Sequence, residues 1–182
     1  MGIVSRTMFV LLLQLMLTVL VYKNLVVSHT SLGLLVGFIV TMISLLYFPP
    51  ICSLVIMSVY VGWMLQMIRV SDEVKWVGLI QVGIIFVVSL LTGLLIKRRL
   101  DFMIEYLIIA LISIILIQIC ILFGFIKDIG WIKYIIIGLF TIWIVVDSNI
   151  MRRSPDTWNT AITLALNFYL DIWNIYSNLI SN

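Results

Sequence analysis

Residues 74–99 read VKWVGLIQVGIIFVVSLLTGLLIKRR. From Trp76 to Ile96 no side chain is charged, and Lys97, Arg98 and Arg99 follow at once. An apolar run of about 20 residues is long enough to cross the hydrocarbon core as a helix. A basic cluster directly after it marks the membrane–water interface. The same pattern, apolar run and then punctuation, extends in both directions along the chain.

Of the 182 residues, 64% are hydrophobic and 10% charged, with a mean hydropathy of +1.27. A soluble domain carries about 25% charged residues. A globule of 20.9 kDa cannot hide this much apolar surface. The composition therefore excludes a soluble enzyme, a nucleic-acid-binding domain and a disordered tail. The net charge of +3 comes from 11 basic and 8 acidic residues. The basic ones flank apolar runs and do not form a phosphate-binding stripe. The chain reads as an all-α integral membrane protein whose first partner is the lipid bilayer.

Seven spans are predicted, at 8–27, 31–48, 51–68, 74–96, 102–126, 131–151 and 157–180. At about 20 residues each they leave roughly 42 for connections and tails, so residues 1–182 form a single transmembrane domain. Pro49-Pro50, Ser71-Asp72-Glu73, Lys97-Arg98-Arg99, Lys127-Asp128-Ile129-Gly130 and Arg152-Arg153-Ser154-Pro155-Asp156 separate the later spans. Ser154 reads as an N-cap with Pro155 at the first helical position. Arg6 precedes a long run with no small-x-small cleavage site, so the first span reads as a retained helix. The tight basic clusters, Lys97–Arg99 and Arg152–Arg153, fall on one side with Arg6, which favours a cytosolic N-terminus. Cys52 and Cys120, without neighbouring His or Cys, read as buried small residues.

Ionisable groups inside a span are costly and mark functional sites by default. Asp147, late in span six, and Asp171, in the middle of span seven, are the two acids that lie away from the boundaries. Glu105 is close enough to the start of span five to reach the interface. Span seven also carries Thr160, Thr163, Asn167, Asn174 and Asn178. With Asp171 they fall within about 80° of one another on a helix. Such a stripe has no partners in lipid, so it is expected to face other helices or a water-filled pore. Two carboxyls close together in low dielectric share a proton and titrate as a unit, which makes a pH-sensitive latch. Fully ionised, the pair is an oxygen-ligand site suited to calcium. An ideal hairpin would offset Asp147 and Asp171 by about 18 Å along the axis, so pairing requires part of 148–159 to lie along the interface.

At these residues the chain resembles the Bax inhibitor family (TMBIM, Lifeguard and Golgi anti-apoptotic proteins). Ser154-Pro155-Asp156, Ala161 and the stretch LNFYLDIWNI at 166–175 resemble its last helix. Val145-Val146-Asp147-Ser148 resembles the end of its preceding helix. Arg6 with Leu11-Leu12-Leu13-Gln14-Leu15 resembles its first helix, and Lys97-Arg98-Arg99-Leu100-Asp101-Phe102 its basic-Asp-Phe loop. The resemblance implies a seven-transmembrane-helix bundle with a central seventh helix. It also implies a calcium-permeable leak gated by protonation of two aspartates, matched here by Asp147 and Asp171. Suppression of apoptosis follows from the same resemblance, in the ER or Golgi membrane of a eukaryotic or viral member, with regulators of the Bcl-2 class as partners. A bacterial member would occupy the plasma membrane. The trimmed loops suit a short viral member. The family's third-helix glutamate is replaced near Gly62, and its second-helix arginine has no counterpart in Tyr47-Phe48-Pro49-Pro50.

The second reading is a non-conducting interaction protein acting through helix–helix contacts. Gly33-Leu34-Leu35-Val36-Gly37 is a small-xxx-small pattern suited to it. An organelle-encoded respiratory subunit fits the length and composition but not the sequence around Asp171. Catalysis has no residue set: His29 is single, and no Ser/His/Asp, Cys/His or phosphate-loop pattern is evident. No cofactor and no nucleic acid is expected; calcium enters as a permeant ion.

Overall fold

The computed structural model describes residues 2–24, 36, 37, 39–41, 43, 44, 47–68, 70–125 and 130–180. The structure is all-helical. Six helices have defined bounds: α1 Ile3–Asn24, α2 Pro50–Met67, α3 Asp72–Leu95, α4 Met103–Leu122, α5 Ile132–Met151 and α6 Trp158–Ile180. The described residues between 36 and 44, and Tyr47, are also helical. His29, Gly33 and the 127–129 break lie outside the described residues. Among the described helices α1, α3, α4 and α5 are long and apolar enough to cross a membrane, and α2 is a shorter apolar helix.

The helix ends follow local chemistry. Pro50 opens α2 at its first position, where a missing N–H costs nothing, behind Pro49 with φ −55° and ψ 144°. Asp72 and Glu73 occupy the first turn of α3, where the helix dipole favours anions. Two boundaries differ from expectation. The span predicted to run to 126 stops at Leu122, because Gly124 adopts φ +75°. Gly124 N–H then donates to Ile121 O and Phe125 N–H to Cys120 O, both at 2.9 Å. These two bonds form a Schellman termination. At α6 the N-cap is Thr157, not Ser154: its hydroxyl oxygen accepts the Thr160 N–H at 3.2 Å. Pro155 and Asp156 stay outside the helix, and the Asp156 carbonyl accepts from Arg6 at 3.0 Å.

The chain divides into two compact units. The first comprises Met1–Ser71 with Ser154–Tyr169. Here α1 buries Thr7, Val10, Leu11, Gln14 and Thr18 along one face. Gly62 of α2 lets the two backbones approach: a Cβ there would lie 2.8 Å from Thr18 O and from Val21 Cβ. Gln66 donates to Tyr22 O at 2.7 Å, satisfying a carbonyl left open at the end of α1. Cys52, expected to be buried, is exposed on an apolar face of α2 that also shows Ile51 and Val55.

The second unit comprises Asp72–Arg153 with Leu170–Asn182. Helices α3 and α5 meet at Gly93, where a Cβ would collide with the Val145 carbonyl. Leu100, Leu107, Ile114, Ile136, Leu139 and Val146 form the buried cluster that joins α4 to α5. The later part of α6 packs on α3 through Tyr176 and Ile180, which surround Gly78. The outer face of α4, with Tyr106, Ile109, Ile112 and Leu116 exposed, is apolar, as a lipid-facing surface must be.

Candidate ion site

Asp147 is one turn from the end of α5, and Asp171 is in the middle of α6. Both belong to the second unit, and both are buried, with relative exposures of 5% and 6%. Their carboxyls interact electrostatically. The offset expected of an ideal hairpin does not keep them apart. Residues 152–157 are not helical, so α5 and α6 are not joined as the ideal hairpin from which that offset was reckoned. Asp171 Oδ2 is buried without a hydrogen-bond partner among the described residues. An acceptor in that state lacks the hydrogen bond that offsets the cost of burying it, so it is open to a proton or a cation.

The polar stripe of α6 is placed differently from expectation. Thr163 and Asn167 are exposed, while Thr160, Asn174 and Asn178 are half-buried. The buried face carries Ala161, Leu164, Ala165, Phe168, Asp171, Ile175 and Tyr176. The stripe therefore runs beside the buried face, and Asp171 at its inner margin is its one buried member. Four of the other side chains bond within their own segment. Thr163 donates to Asn159 O at 3.1 Å, Asn174 to Leu170 O at 2.8 Å and Asn178 to Asn174 O at 2.8 Å. Thr160 pairs with the Thr157 hydroxyl at 2.8 Å. Bonds of this kind remove the need for a neighbouring helix, which is why the stripe need not point inward.

One residue beside the acid pair escaped sequence reasoning. Asn149, fully buried two positions after Asp147, holds the last turn of α3 and the chain that leaves it. Its amide donates to Ile96 O at 2.7 Å, Arg98 O at 3.1 Å and Gly93 O at 3.3 Å. Its oxygen accepts the Leu100 N–H at 3.2 Å and Arg153 Nη2 at 3.0 Å. Arg152 adds bonds to Leu94 O and Lys97 O, at 3.3 and 3.2 Å. The last carbonyls of a helix need such partners. The available signal was a third polar residue in Asp147-Ser148-Asn149, next to a helix end.

Among the described residues no three His, Cys, Asp or Glu side chains come together. Two carboxylates offer four oxygens, so a calcium ion passing here would complete its six to eight ligands from water or backbone carbonyls. Gly37, the described half of the small-xxx-small pattern, packs internally: a Cβ there would lie 2.9 Å from the Tyr60 ring and 3.0 Å from Trp63.

No known family model matches the chain. Nor does any curated protein match it.

Proposed function

We propose that this chain is a seven-helix membrane bundle of the Bax-inhibitor type, with its last helix central, and that it forms a pH-sensitive calcium leak. In this reading Asp147 and Asp171 are both proton sensor and ion site. The leak lowers organelle calcium and suppresses apoptosis, in the ER or Golgi membrane if the chain is eukaryotic or viral. The observation that carries the reading is the buried Asp171 carboxyl, with one oxygen unpartnered and Asp147 within electrostatic reach.

The chemistry follows from the pair. Two carboxyls in low dielectric do not both ionise cheaply, so they hold a shared proton. Loss of that proton leaves a negative pair that attracts a divalent cation and repels itself. Deprotonation thus favours both opening and occupancy. The missing family arginine leaves no basic counterpart at Tyr47–Pro50. The alternative, a non-conducting interaction protein, is weakened by the internal packing of Gly37.

The test is calcium flux from proteoliposomes between about pH 6 and 8, comparing wild type with Asp147→Asn/Asp171→Asn. A pH-dependent flux altered by the double substitution is expected. No flux above empty liposomes, from protein shown to be folded, would overturn the leak.

A further inference from the structure

The end of α3 carries a concentration of positive charge that the acid pair does not use. Lys97, Arg98 and Arg99 follow α3, and Arg152 and Arg153 follow α5. Arg152 donates to Leu94 O and Lys97 O, so both groups of cations lie at one end of the second unit. They outnumber the neighbouring acids, Asp101 and Glu105, five to two. Asp101 is taken by Arg153 at 2.8 Å. Arg6 and Lys75 are matched in the same way, with Asp156 and Asp72. Lys97, Arg98, Arg99 and Arg152 are all exposed, and none has a carboxylate partner among the described residues.

The backbone beneath these cations is held. Asn149 accepts the Leu100 N–H at 3.2 Å and donates to Arg98 O at 3.1 Å, while Arg152 Nη2 donates to Lys97 O at 3.2 Å. These bonds use main-chain groups of residues 97–100 and leave the charges of Lys97, Arg98 and Arg99 for an outside anion. The Arg152 guanidinium meets carbonyls, which orient it and do not neutralise it. Arg98 lies over the Phe102 ring at 5.7 Å, and that ring is 56% exposed. Cations beside an exposed aromatic ring, at the end of an apolar helix, suit the depth of lipid headgroups.

The position decides which anion meets them. Helices α3, α4 and α5 are each apolar enough to cross a membrane, and the patch stands where all three reach its edge. At that depth the anion is a lipid phosphate, and guanidinium forks suit its oxygens. A zwitterionic lipid brings its own ammonium, so a lipid with net negative charge is the one these unmatched cations attract.

We propose that Lys97, Arg98, Arg99 and Arg152 form a headgroup site for an anionic phospholipid at the shared end of α3 and α5, with Phe102 as its apolar edge. The inference goes beyond the leak: none of these residues belongs to the Asp147–Asp171 pair, and its test measures no flux.

The test reconstitutes the full chain in phosphatidylcholine liposomes that contain a minor fraction of phosphatidylserine. The chain is then excised with its surrounding lipid in polymer-bounded discs, and the lipids are counted by mass spectrometry. A cation at the membrane surface multiplies the attraction to anionic lipid by about five. Wild type should therefore hold phosphatidylserine at least about fivefold above its bulk fraction, and Arg98→Gln/Arg99→Gln should fall to within about twofold of bulk. Lys133→Gln, at the opposite end of α5, should match wild type. Equal enrichment in wild type and the double variant would overturn the site. So would an equal loss in Lys133→Gln, which would mean that lipid follows net charge alone. Loss of enrichment in inorganic phosphate, against chloride at the same ionic strength, would assign the patch to a free anion and overturn the lipid site too. If the double variant fails to fold, Lys97→Gln/Arg99→Gln, which leaves the Arg98–Phe102 contact in place, decides by the same criterion.

Discussion

Arg153 holds both carboxylate oxygens of Asp101, with Nη1 donating to Oδ2 at 3.0 Å and Nη2 to Oδ1 at 2.8 Å. The bidentate pair ties the loop before α4 to the end of α5. The hydrogen bond from Arg153 is the main reason that the Asp101 carboxyl titrates below its ordinary range. A group whose folded pKa is depressed adds stability above its unfolded pKa, about 3.9 for aspartate, and loses it as pH falls through the folded value. Thermal melts in detergent should therefore show Asp101→Asn slightly less stable than wild type at neutral pH. The two curves should converge as the pH drops below about 4. A gap that persists at low pH would show that the pair is not the cause. Both side chains are partly exposed, so the effect is small.

Asn149 is a larger dependency. Replacing it with Leu strands three carbonyls and the Leu100 N–H, at a cost of about 2–4 kcal/mol. Asn149→Asp should be worse, because a second acceptor then faces Gly93, Ile96 and Arg98 carbonyls. Hydrogen exchange should report the loss first at residues 96–100. An unchanged melting temperature in both variants would contradict the network.

Two glycines of α3 should respond in opposite directions. Gly93→Ala places a methyl group against the Val145 carbonyl and Ser148, and must separate α3 from α5. Gly83 has open space around its would-be Cβ, so Gly83→Ala should stabilise the helix by about 0.5–1 kcal/mol. Melting temperatures of the two variants, measured side by side, check the sign of each.

The Thr18–Tyr169 bond gives an asymmetric prediction. Tyr169→Phe leaves Thr18 still donating to Gln14 O, and should cost about 1 kcal/mol. Thr18→Val leaves the Tyr169 hydroxyl without its partner in a site only 2% exposed, and should cost more. The double variant should cost less than the sum, as a double-mutant cycle would show.

Apolar runs and their punctuation were enough to place most of the helices, because lipid forces backbone polar groups to pair within each segment. The proline start of α2 and the acidic start of α3 were legible for the same local reasons. The end of α4 was missed because Gly124, not the charged residues after it, sets the backbone. Thr157 and not Ser154 caps α6, and Asp156 beside it is held by Arg6, 150 residues away. Long-range partners of that kind leave no local trace. The acids of the candidate site were legible from their cost in a span. The orientation of the α6 stripe was not, since Asn and Thr can satisfy themselves on their own helix.

The partners of Asn149 carry a consequence for how the protein is made. Among the described residues, the carbonyls of Gly93, Leu94, Ile96 and Lys97 find side-chain donors in residues 149 and 152, more than 50 positions later. Thr18 waits longer still, for a hydroxyl 151 residues downstream. During biosynthesis α1 and α3 therefore enter the membrane unfinished, and a nascent chain stalled before Asn149 would keep open polar ends that insertion factors must shield until the last helices arrive.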